Sequence, residues 1–457
     1  MSEYGYVEQP ILGWLCGEPA SPKYGDRGLG WTYRDEAAMA IYERPLEDPL
    51  VEKLLVAAIL RINPQVKTEA QARLAVAALR KTMSHPDKLT ANRQTLDLLR
   101  DGAKVVLEPG AAATTVHFIE FDPDRQDRND FTATNQYRVQ GVKQCREDTV
   151  LLVNGIPLVI AEYKSYLASA KDWREAVHQL HRYKRQAPLV LTPNVFCVAA
   201  DEEEFRYGTV LFHDASKDDI ERHLDSWRRW LSLYPERHGY WNEPEVADLD
   251  DPLEAPVRGL LRLKPAHLLD FLLHFVVFET KKGATTKKIA RYQQFEAVNE
   301  LVDRTVSLAG QPAGAQDRTG LIWHTQGSGK SLTMIFAGQK LRRHPALDNP
   351  TVLIVVDRRD LKTQLWSEAG NTEVNWVPTV WYGEKDDALD PVPVAGTRPA
   401  RLLPPVRVPA LAREVRVARH LGRAGDVHVE RVGGRVPRYV DDLSVGHDRG
   451  HRHDGED

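Results

Sequence analysis

The chain has 457 residues and a formal net charge of −4 at pH 7, a length that allows about three domains of ~150 residues each. Hydrophobic residues make up 42% and charged residues 28%, which excludes a wholly disordered chain, a collagen-like fibre and a disulfide-rich miniprotein. The three cysteines show no metal-ligand spacing. With no apolar run of ~18 residues and no secretory signal, we expect a cytoplasmic protein without a membrane partner.

Four segments differ in pattern. Residues 1–225 mix helices and strands, and residues 226–285 read as a helical linker that includes a helix over Pro256–Glu279. Residues 286–385 follow the order helix, strand, Gly-rich loop, helix, strand, which is typical of the start of a parallel α/β domain. The fold class predicted for the chain is therefore α/β.

The last segment, residues 386–457, has an unusual composition. It contains 12 Arg but no Lys, and 12 Val but no Ile. Such a bias is typical of a GC-rich gene read out of frame, and the alternative is a flexible linker. We expect an unfolded or out-of-frame tail.

A β-hairpin is predicted over residues 146–164. Two runs rich in β-branched residues flank Asn154 and Gly155, and Asn-Gly is the strongest short hairpin signal. Because side chains alternate along a strand, Glu162 and Lys164 share one face.

The position of Asp148 depends on the hairpin register. A strict two-residue turn would place Asp148 opposite Ala161, on the face away from Glu162. A three-residue loop with Gly155 in a left-handed bulge pairs Asp148 with Ile160, on the Glu162 face. We therefore predict a loop of odd length or a bulge.

With that register, two carboxylates and an ammonium group converge. Asp148 and Glu162 would hold Mg²⁺ for phosphodiester hydrolysis, and Lys164 would position water and stabilise the developing charge. The next helix carries Gln179 and Tyr183 one turn apart on one face. The alternative is a surface strand that merely alternates charged and apolar residues.

The same helix, expected over 170–186, carries positive charge. Arg182, Lys184 and Arg185 could contact DNA phosphates. The alternative is a solvated basic face. Because the net charge of the chain is negative, any DNA contact has to use a local basic groove.

A phosphate-binding loop is predicted within Gly320–Thr333, as a strand, a Gly-rich turn and a helix. The residues expected to bind nucleotide are Gly327, Ser328, Gly329, Lys330 and Ser331. Lys330 would reach the β- and γ-phosphates of ATP, and Ser331 would join the Mg²⁺ shell. The first glycine of the full pattern is replaced by His324.

Asp148, Glu162-x-Lys164 and Gln179-x-x-x-Tyr183 resemble the PD-(D/E)xK nuclease core with a Gln-x-x-x-Tyr helix. The resemblance implies that Asp148 and Glu162 are metal ligands, that Lys164 is the catalytic lysine, and that Gln179 and Tyr183 support the site or contact DNA.

The sequence around that core resembles the restriction (R) subunit of type I restriction–modification enzymes. The matching stretches are Asn129–Phe131, Asn135–Tyr137, Arg146-x-Asp148 and Val153–Val159. Many such nucleases add an acidic residue from an early helix, and either Glu8 or Glu52 could serve.

Three further stretches resemble the superfamily 2 helicase motor of the same subunit. Trp323–Ser331 resembles its phosphate loop, and Arg291–Val298 resembles its Q-type motif, in which Gln294 would read adenine. The alternative for that stretch is an amphipathic helix start. Thr351–Leu361 resembles a motif that contacts the DNA backbone and is expected to be a strand and loop.

The resemblance covers residues 1–385 and implies a PD-(D/E)xK domain, a helical linker and an incomplete RecA-like lobe. It implies Mg²⁺ and ATP as cofactors, and double-stranded DNA with the modification and specificity subunits as partners. No DEAH-like motif follows, so we expect a truncated R subunit, a Mg²⁺-dependent endonuclease that the intact family couples to ATP-dependent DNA translocation. The alternatives are a stand-alone nuclease and an inactive DNA- or subunit-binding remnant.

Overall fold

The computed structural model describes residues 4–17, 28–235, 252–264, 266–281, 283–309, 311, 320–348, 350–352, 354, 380–382 and 390–392. The predicted tail lies outside these residues except for 390–392. The strand and loop predicted at 351–361 lie outside them except for 351, 352 and 354.

The strands, in chain order, are β1 (Thr32–Tyr33), β2 (Ala103–Val105), β3 (Thr114–Val116), β4 (Phe131–Gln140), β5 (Gln144–Val153), β6 (Ile156–Tyr163), β7 (Phe196–Ala200), β8 (Phe205–Gly208), β9 (Arg228–Arg229), β10 (Val276–Lys281), β11 (Ala284–Ile289), β12 (Val380–Tyr382) and β13 (Asp390–Val392). A seven-stranded sheet has the order β1-β4-β5-β6-β7-β8-β9. It is mixed, because β1–β4 and β6–β7 pair in parallel and the other neighbours pair antiparallel.

The helices are α1 (Gln9–Cys16), α2 (Glu36–Ala40), α3 (Glu52–Ile62), α4 (Glu69–Met83), α5 (Lys88–Asp101), α6 (Tyr166–Ser169), α7 (Trp173–Gln186), α8 (Lys217–His223), α9 (Glu254–Leu260), α10 (His267–His274), α11 (Tyr292–Ala309) and α12 (Lys330–Arg343). A π-helical turn, Tyr4–Glu8, leads into α1. None of the helices in the described ranges combines the length and hydropathy that a bilayer-spanning segment needs.

Hydrophobic residues pack on both faces of the sheet, because side chains alternate along each strand. On one face Leu151 and Val159 pack with residues of α1, α3–α5 and α9–α12. On the other face Leu152 and Ile160 pack with residues of α7 and α8. The crossover from β6 to the parallel strand β7 contains α7, which therefore lies against the strand that carries Glu162.

The predicted helical linker differs from the structure in two ways. Arg228–Arg229 forms the last strand of the large sheet, and the helix predicted over Pro256–Glu279 is two helices followed by a β-hairpin. The hairpin forms because Val276, Val277 and several threonines favour extended backbone. Gly283, with φ of +80°, accommodates its turn. The boundaries of the domains stay predictions.

The helices predicted around the phosphate loop are present as α11 and α12, and they contact each other. The strand predicted before the loop is absent. Over residues 320–325 the only β-pairing is an isolated bridge at Trp323. The described chain is thus mixed α/β, with its large sheet at residues 32–229.

Candidate active site

The turn of the β5–β6 hairpin has two residues, so of the two predicted alternatives, a loop of odd length or a bulge, the loop of odd length is absent. Asn154 and Gly155 have φ of 54° and 78°, and Val153 pairs with Ile156. Two successive left-handed residues form the tight turn that suits the twist of a hairpin. The Asn154 side chain is held by the Phe118 carbonyl, with Nδ2 to O at 2.8 Å.

The predicted bulge is present, but it lies inside β6. The pairing shifts by one residue between Leu151 and Leu152, which leaves Leu158 as an extra residue. Continuing the shifted register by one residue places Asp148 opposite Glu162, not opposite Ile160. The bulge therefore brings both carboxylates to one face.

Three side chains meet at the end of this hairpin. Lys164 Nζ donates to Glu162 Oε1 at 2.8 Å and to the Tyr163 carbonyl at 2.5 Å. The other carboxylate oxygen, Glu162 Oε2, lies 3.0 Å from Tyr183 Oη. Asp148 Oδ2 accepts the Tyr163 N–H at 2.9 Å. The structure thus brings together the nuclease residues predicted on the hairpin.

Helix α7 supplies the second half of the site. Gln179 Nε2 lies 2.5 Å from Tyr183 Oη, which also lies 2.8 Å from the Arg146 carbonyl oxygen. Arg182 donates to Gln179 Oε1 at 3.2 Å and to Glu175 at 2.9 Å. The predicted pair, Gln179 and Tyr183, therefore connects the helix surface to Glu162.

Burial dominates the electrostatics of this site. It raises the pKa of the Asp148 carboxyl, and it raises the pKa of Glu162 well above its usual range, with repulsion from Asp148 adding to the effect. The Lys164 ammonium opposes both shifts. Burial also raises the pKa of Tyr183, which keeps its hydroxyl protonated as a donor.

Sequence reasoning missed two acidic residues beside the site. Glu147 is fully buried, no described residue forms a hydrogen bond with its carboxylate, and burial raises its pKa to about 8. Its position next to Asp148 was the available signal.

Glu202, which follows β7, binds the segment after Lys164. The Ser165 hydroxyl and the backbone N–H groups of Tyr166 and Leu167 donate to Glu202, the latter two at 2.9 and 3.3 Å. Ser165 caps α6, and a serine in that place was the signal for an ordered turn.

The two early acidic candidates have different surroundings. Glu8 is buried. Burial raises the pKa of Tyr163, the residue next to Glu162, and repulsion from Glu8 adds to that shift. Glu52 instead forms ion pairs with Arg73 and Arg80, at 2.9 and 2.7 Å. The structure thus places Glu8 near the hairpin end, whereas Glu52 is paired with two arginines.

The phosphate loop residues also come together. Lys330 Nζ donates to the carbonyls of His324 and Thr325, at 2.8 and 2.9 Å, so its ammonium lies inside the loop. Gln294 Nε2 donates to the carbonyls of Ser328 and Gly329, at 3.2 and 3.0 Å. Gln294 therefore supports the loop backbone, and adenine reading by this residue stays a prediction.

Comparison with known proteins follows this division of the chain. Residues 24–213 match the family model "Type I restriction enzyme R protein N terminus", and residues 293–381 match the model "SWI2/SNF2 ATPase". These two regions define a nuclease-subunit N-terminus followed by an ATPase region.

Similar curated proteins carry matching names. The chain is 31% identical to the "Type I restriction enzyme HindI endonuclease subunit" of Haemophilus influenzae over 348 residues, which are 74% of this chain and 31% of that protein. It is 27% identical to the "Putative type I restriction enzyme MjaIXP endonuclease subunit" of Methanocaldococcus jannaschii, over 75% of this chain and 32% of that protein. The resemblance to the N-terminal part of type I restriction enzyme R subunits is confirmed, and the chain spans about a third of the length of these relatives.

Proposed function

We propose that this chain is the DNA-cleaving part of a type I restriction subunit, with a PD-(D/E)xK site formed by Asp148, Glu162 and Lys164. One arrangement carries the proposal: the bulge in β6 shifts the register so that Thr149 lies opposite Ala161, Asp148 Oδ2 accepts the Tyr163 N–H at 2.9 Å, and Lys164 Nζ lies 2.8 Å from Glu162. The R-protein match over residues 24–213 supports the assignment.

The residues fit a hard divalent cation such as Mg²⁺. The buried Glu162 and the partly buried Asp148 share one ammonium group, and burial raises the pKa of both carboxyls although Lys164 opposes the shift. Carboxylate oxygens are the ligands that Mg²⁺ prefers, and burial without compensation is costly. Asp148 and Glu162 would hold the ion, which when bound neutralises phosphate charge and lowers the pKa of water. Among the described residues no three His, Cys, Asp or Glu side chains are grouped so that they could hold a metal ion together.

The neighbouring side chains have separate tasks. Lys164 positions the attacking water and stabilises charge that develops on the phosphate. Tyr183 donates to Glu162 and fixes its orientation, and Gln179 in turn holds Tyr183. Glu8 is the early-helix acid that we assign to this site, because Glu52 is committed to two arginines.

The second region binds ATP with Mg²⁺ in a RecA-like lobe. Gly327, Ser328 and Gly329 present their backbone to the phosphates at the N-terminus of α12, and Lys330 and Ser331 meet the γ-phosphate and its Mg²⁺. In the complete complex this motor would translocate double-stranded DNA, and the modification and specificity subunits would supply methylation and sequence recognition. The SWI2/SNF2 ATPase match supports this part of the proposal.

Cleavage of a supercoiled plasmid by the purified chain tests the nuclease assignment. We expect nicking or linearisation that requires Mg²⁺ and that falls to background in Asp148→Asn and Glu162→Gln. Titration of Mg²⁺ by calorimetry gives a readout besides activity: the binding isotherm should be lost in Asp148→Asn. Cleavage or binding that survives both substitutions would contradict the assignment.

A further inference from the structure

The segment directly after Lys164 exposes two large apolar side chains. Tyr166 and Leu167 are 67% and 69% exposed, yet their backbone is held by Glu202 and by the Ser165 cap. These two exposed side chains therefore lie on an ordered turn directly after Lys164. The structure therefore offers an aromatic ring at the edge of the site.

Tyr166 also lines an open groove of about 610 Å³, together with residues of α7 and α8. We call it the α7 groove. Its basic lining residues are Lys171, Arg174, Arg182, Arg185 and Lys217. Its acidic lining residues are Asp172, Glu175 and Glu221.

The acidic residues of the α7 groove are already paired. Asp172 binds Arg174 at 2.5 Å, and Glu175 binds Arg182 at 2.9 Å. Glu221 lies 2.9 Å from the His178 ring. Within the described residues, Lys171, Arg185 and Lys217 have no acidic partner, so the groove carries uncompensated positive charge.

A continuous chain of hydrogen bonds joins the groove to the candidate active site. Arg182 donates to Gln179, Gln179 donates to Tyr183, and Tyr183 reaches Glu162. An anionic ligand in the groove therefore lies one side chain away from the residues that orient Glu162.

We propose that the α7 groove binds a single DNA strand leading away from the cleavage site. Tyr166 stacks on an unpaired base, and Lys171, Arg185 and Lys217 contact the phosphates. An aromatic platform beside a basic track is the combination that binds single strands without sequence preference. The inference rests on the proposed function, because it takes DNA as the substrate.

The test uses the full chain carrying Asp148→Asn, in EDTA, so that the probe stays intact. Fluorescence anisotropy measures binding of a labelled oligothymidylate of about 12 nucleotides at several NaCl concentrations. We compare Tyr166→Ala, Tyr166→Phe and the double variant Arg185→Ala/Lys217→Ala. The matched control is Lys67→Ala/Lys81→Ala, which removes two exposed lysines near α4, on the other face of the sheet.

Tyr166→Ala should weaken binding about tenfold, and Tyr166→Phe by less than about twofold, because the stacking face is kept. The Arg185/Lys217 double variant should reduce the slope of log K against log salt by about 1.4, since each lost phosphate contact on a single strand removes about 0.7. The control should leave both quantities unchanged. Binding that is the same in Tyr166→Ala as in the parent, or a double variant that behaves like the control, would overturn the proposal.

The two proposals can fail separately. If the chain never cleaves DNA but its DNA binding depends on the groove residues, the nuclease assignment is contradicted and the groove proposal is retained. If the chain cleaves DNA in the presence of Mg²⁺ but the groove substitutions do not change its DNA binding, only the groove proposal is overturned.

Discussion

Tyr183 Oη lies 3.0 Å from Glu162 Oε2, although the two residues are 21 positions apart in the sequence. The contact forms because α7 is the crossover between the parallel strands β6 and β7 and packs on the face that Glu162 occupies. The phenol also meets the Arg146 carbonyl on β5. One helix thus controls the orientation of a carboxylate on the neighbouring hairpin.

Replacing Tyr183 by phenylalanine should slow DNA cleavage about 10–100-fold, the usual cost of losing a residue that orients a metal ligand. The ring still fills its place in the core, so the fold should be kept. Initial rates of plasmid nicking at saturating Mg²⁺ measure the effect.

Tyr137→Phe is the matched control for that substitution. Tyr137 is also buried, and its hydroxyl donates to the Pro49 carbonyl at 2.9 Å. Cleavage should be unchanged in this variant. An equal loss of rate in both variants would show that Tyr183 acts only through general stability.

Lys164→Ala should abolish cleavage and also lower the free energy of unfolding by about 1–3 kcal/mol. The stability loss arises because the Glu162 carboxylate stays buried without its cation. In a Glu162→Gln background the same substitution should cost less stability, since the Glu162 charge that Lys164 compensates is already absent. Urea denaturation of the parent chain, the two single variants and the double variant measures the coupling between the two substitutions. Additive losses in the free energy of unfolding would contradict the ion pair.

Gly155→Ala should destabilise the protein more than Gly110→Ala does. Both glycines have positive φ, at 78° and 82°, so both substitutions carry the left-handed penalty of about 1 kcal/mol. A Cβ at Gly155 would also lie 2.6 Å from the Val51 carbonyl oxygen, whereas one at Gly110 would meet nothing within 4 Å. Equal midpoints of urea unfolding would mean that the hairpin turn does not dock against the start of α3.

The stability of the protein should rise with pH through Lys287. Burial lowers the pKa of this lysine to about 7, whereas in an unfolded chain it stays protonated to about pH 10.4. Between these values unfolding takes up a proton, so the free energy of unfolding increases with pH, by up to about 1.4 kcal/mol per pH unit.

The variant Lys287→Met lacks this titration. Its free energy of unfolding should be flatter between about pH 7 and pH 9 than that of the parent chain. Other titrating groups affect both chains alike, so the difference isolates Lys287. Parallel curves for the two chains would contradict the assigned pKa.

Lys330→Ala should weaken binding of a fluorescent ATP analogue at least about tenfold, because its ammonium is the positive charge inside the loop. Gln294→Ala should weaken binding as well, since the loop loses two hydrogen bonds to its backbone. Lys81→Ala, an exposed lysine of α4, should have no effect. We expect little or no DNA-stimulated ATP hydrolysis by this chain alone, and turnover that Lys330→Ala abolishes would contradict that expectation.

Local patterns predicted the parts of the site that depend on neighbours in sequence. The Asn154-Gly155 turn, the shared face of Glu162 and Lys164, and the spacing of Gln179 and Tyr183 all follow from strand and helix periodicity, and the structure contains each of them. The hairpin register was harder to predict, because the alternation of side chains required either a loop of odd length or a bulge and did not decide between them or locate the bulge.

The prediction that residues 226–285 are helical is only partly correct. The apolar run of α10 dominated the pattern, yet the chain turns into strand at Val276. Hydrophobicity alone does not separate a buried helix from a buried strand over such short lengths.

The sequence by itself determined which chemical groups are available and their local spacing: two carboxylates and an amine on one hairpin, and glycines before a lysine in a phosphate loop. Only the tertiary structure decided that Leu158 is the extra residue, that Lys164 is buried against Glu162, and that Glu202 binds the turn beyond it. The physical reason is the distance along the chain over which each preference acts. Turn and helix preferences act over a few residues, whereas register, burial and pKa depend on which distant elements pack together to exclude water.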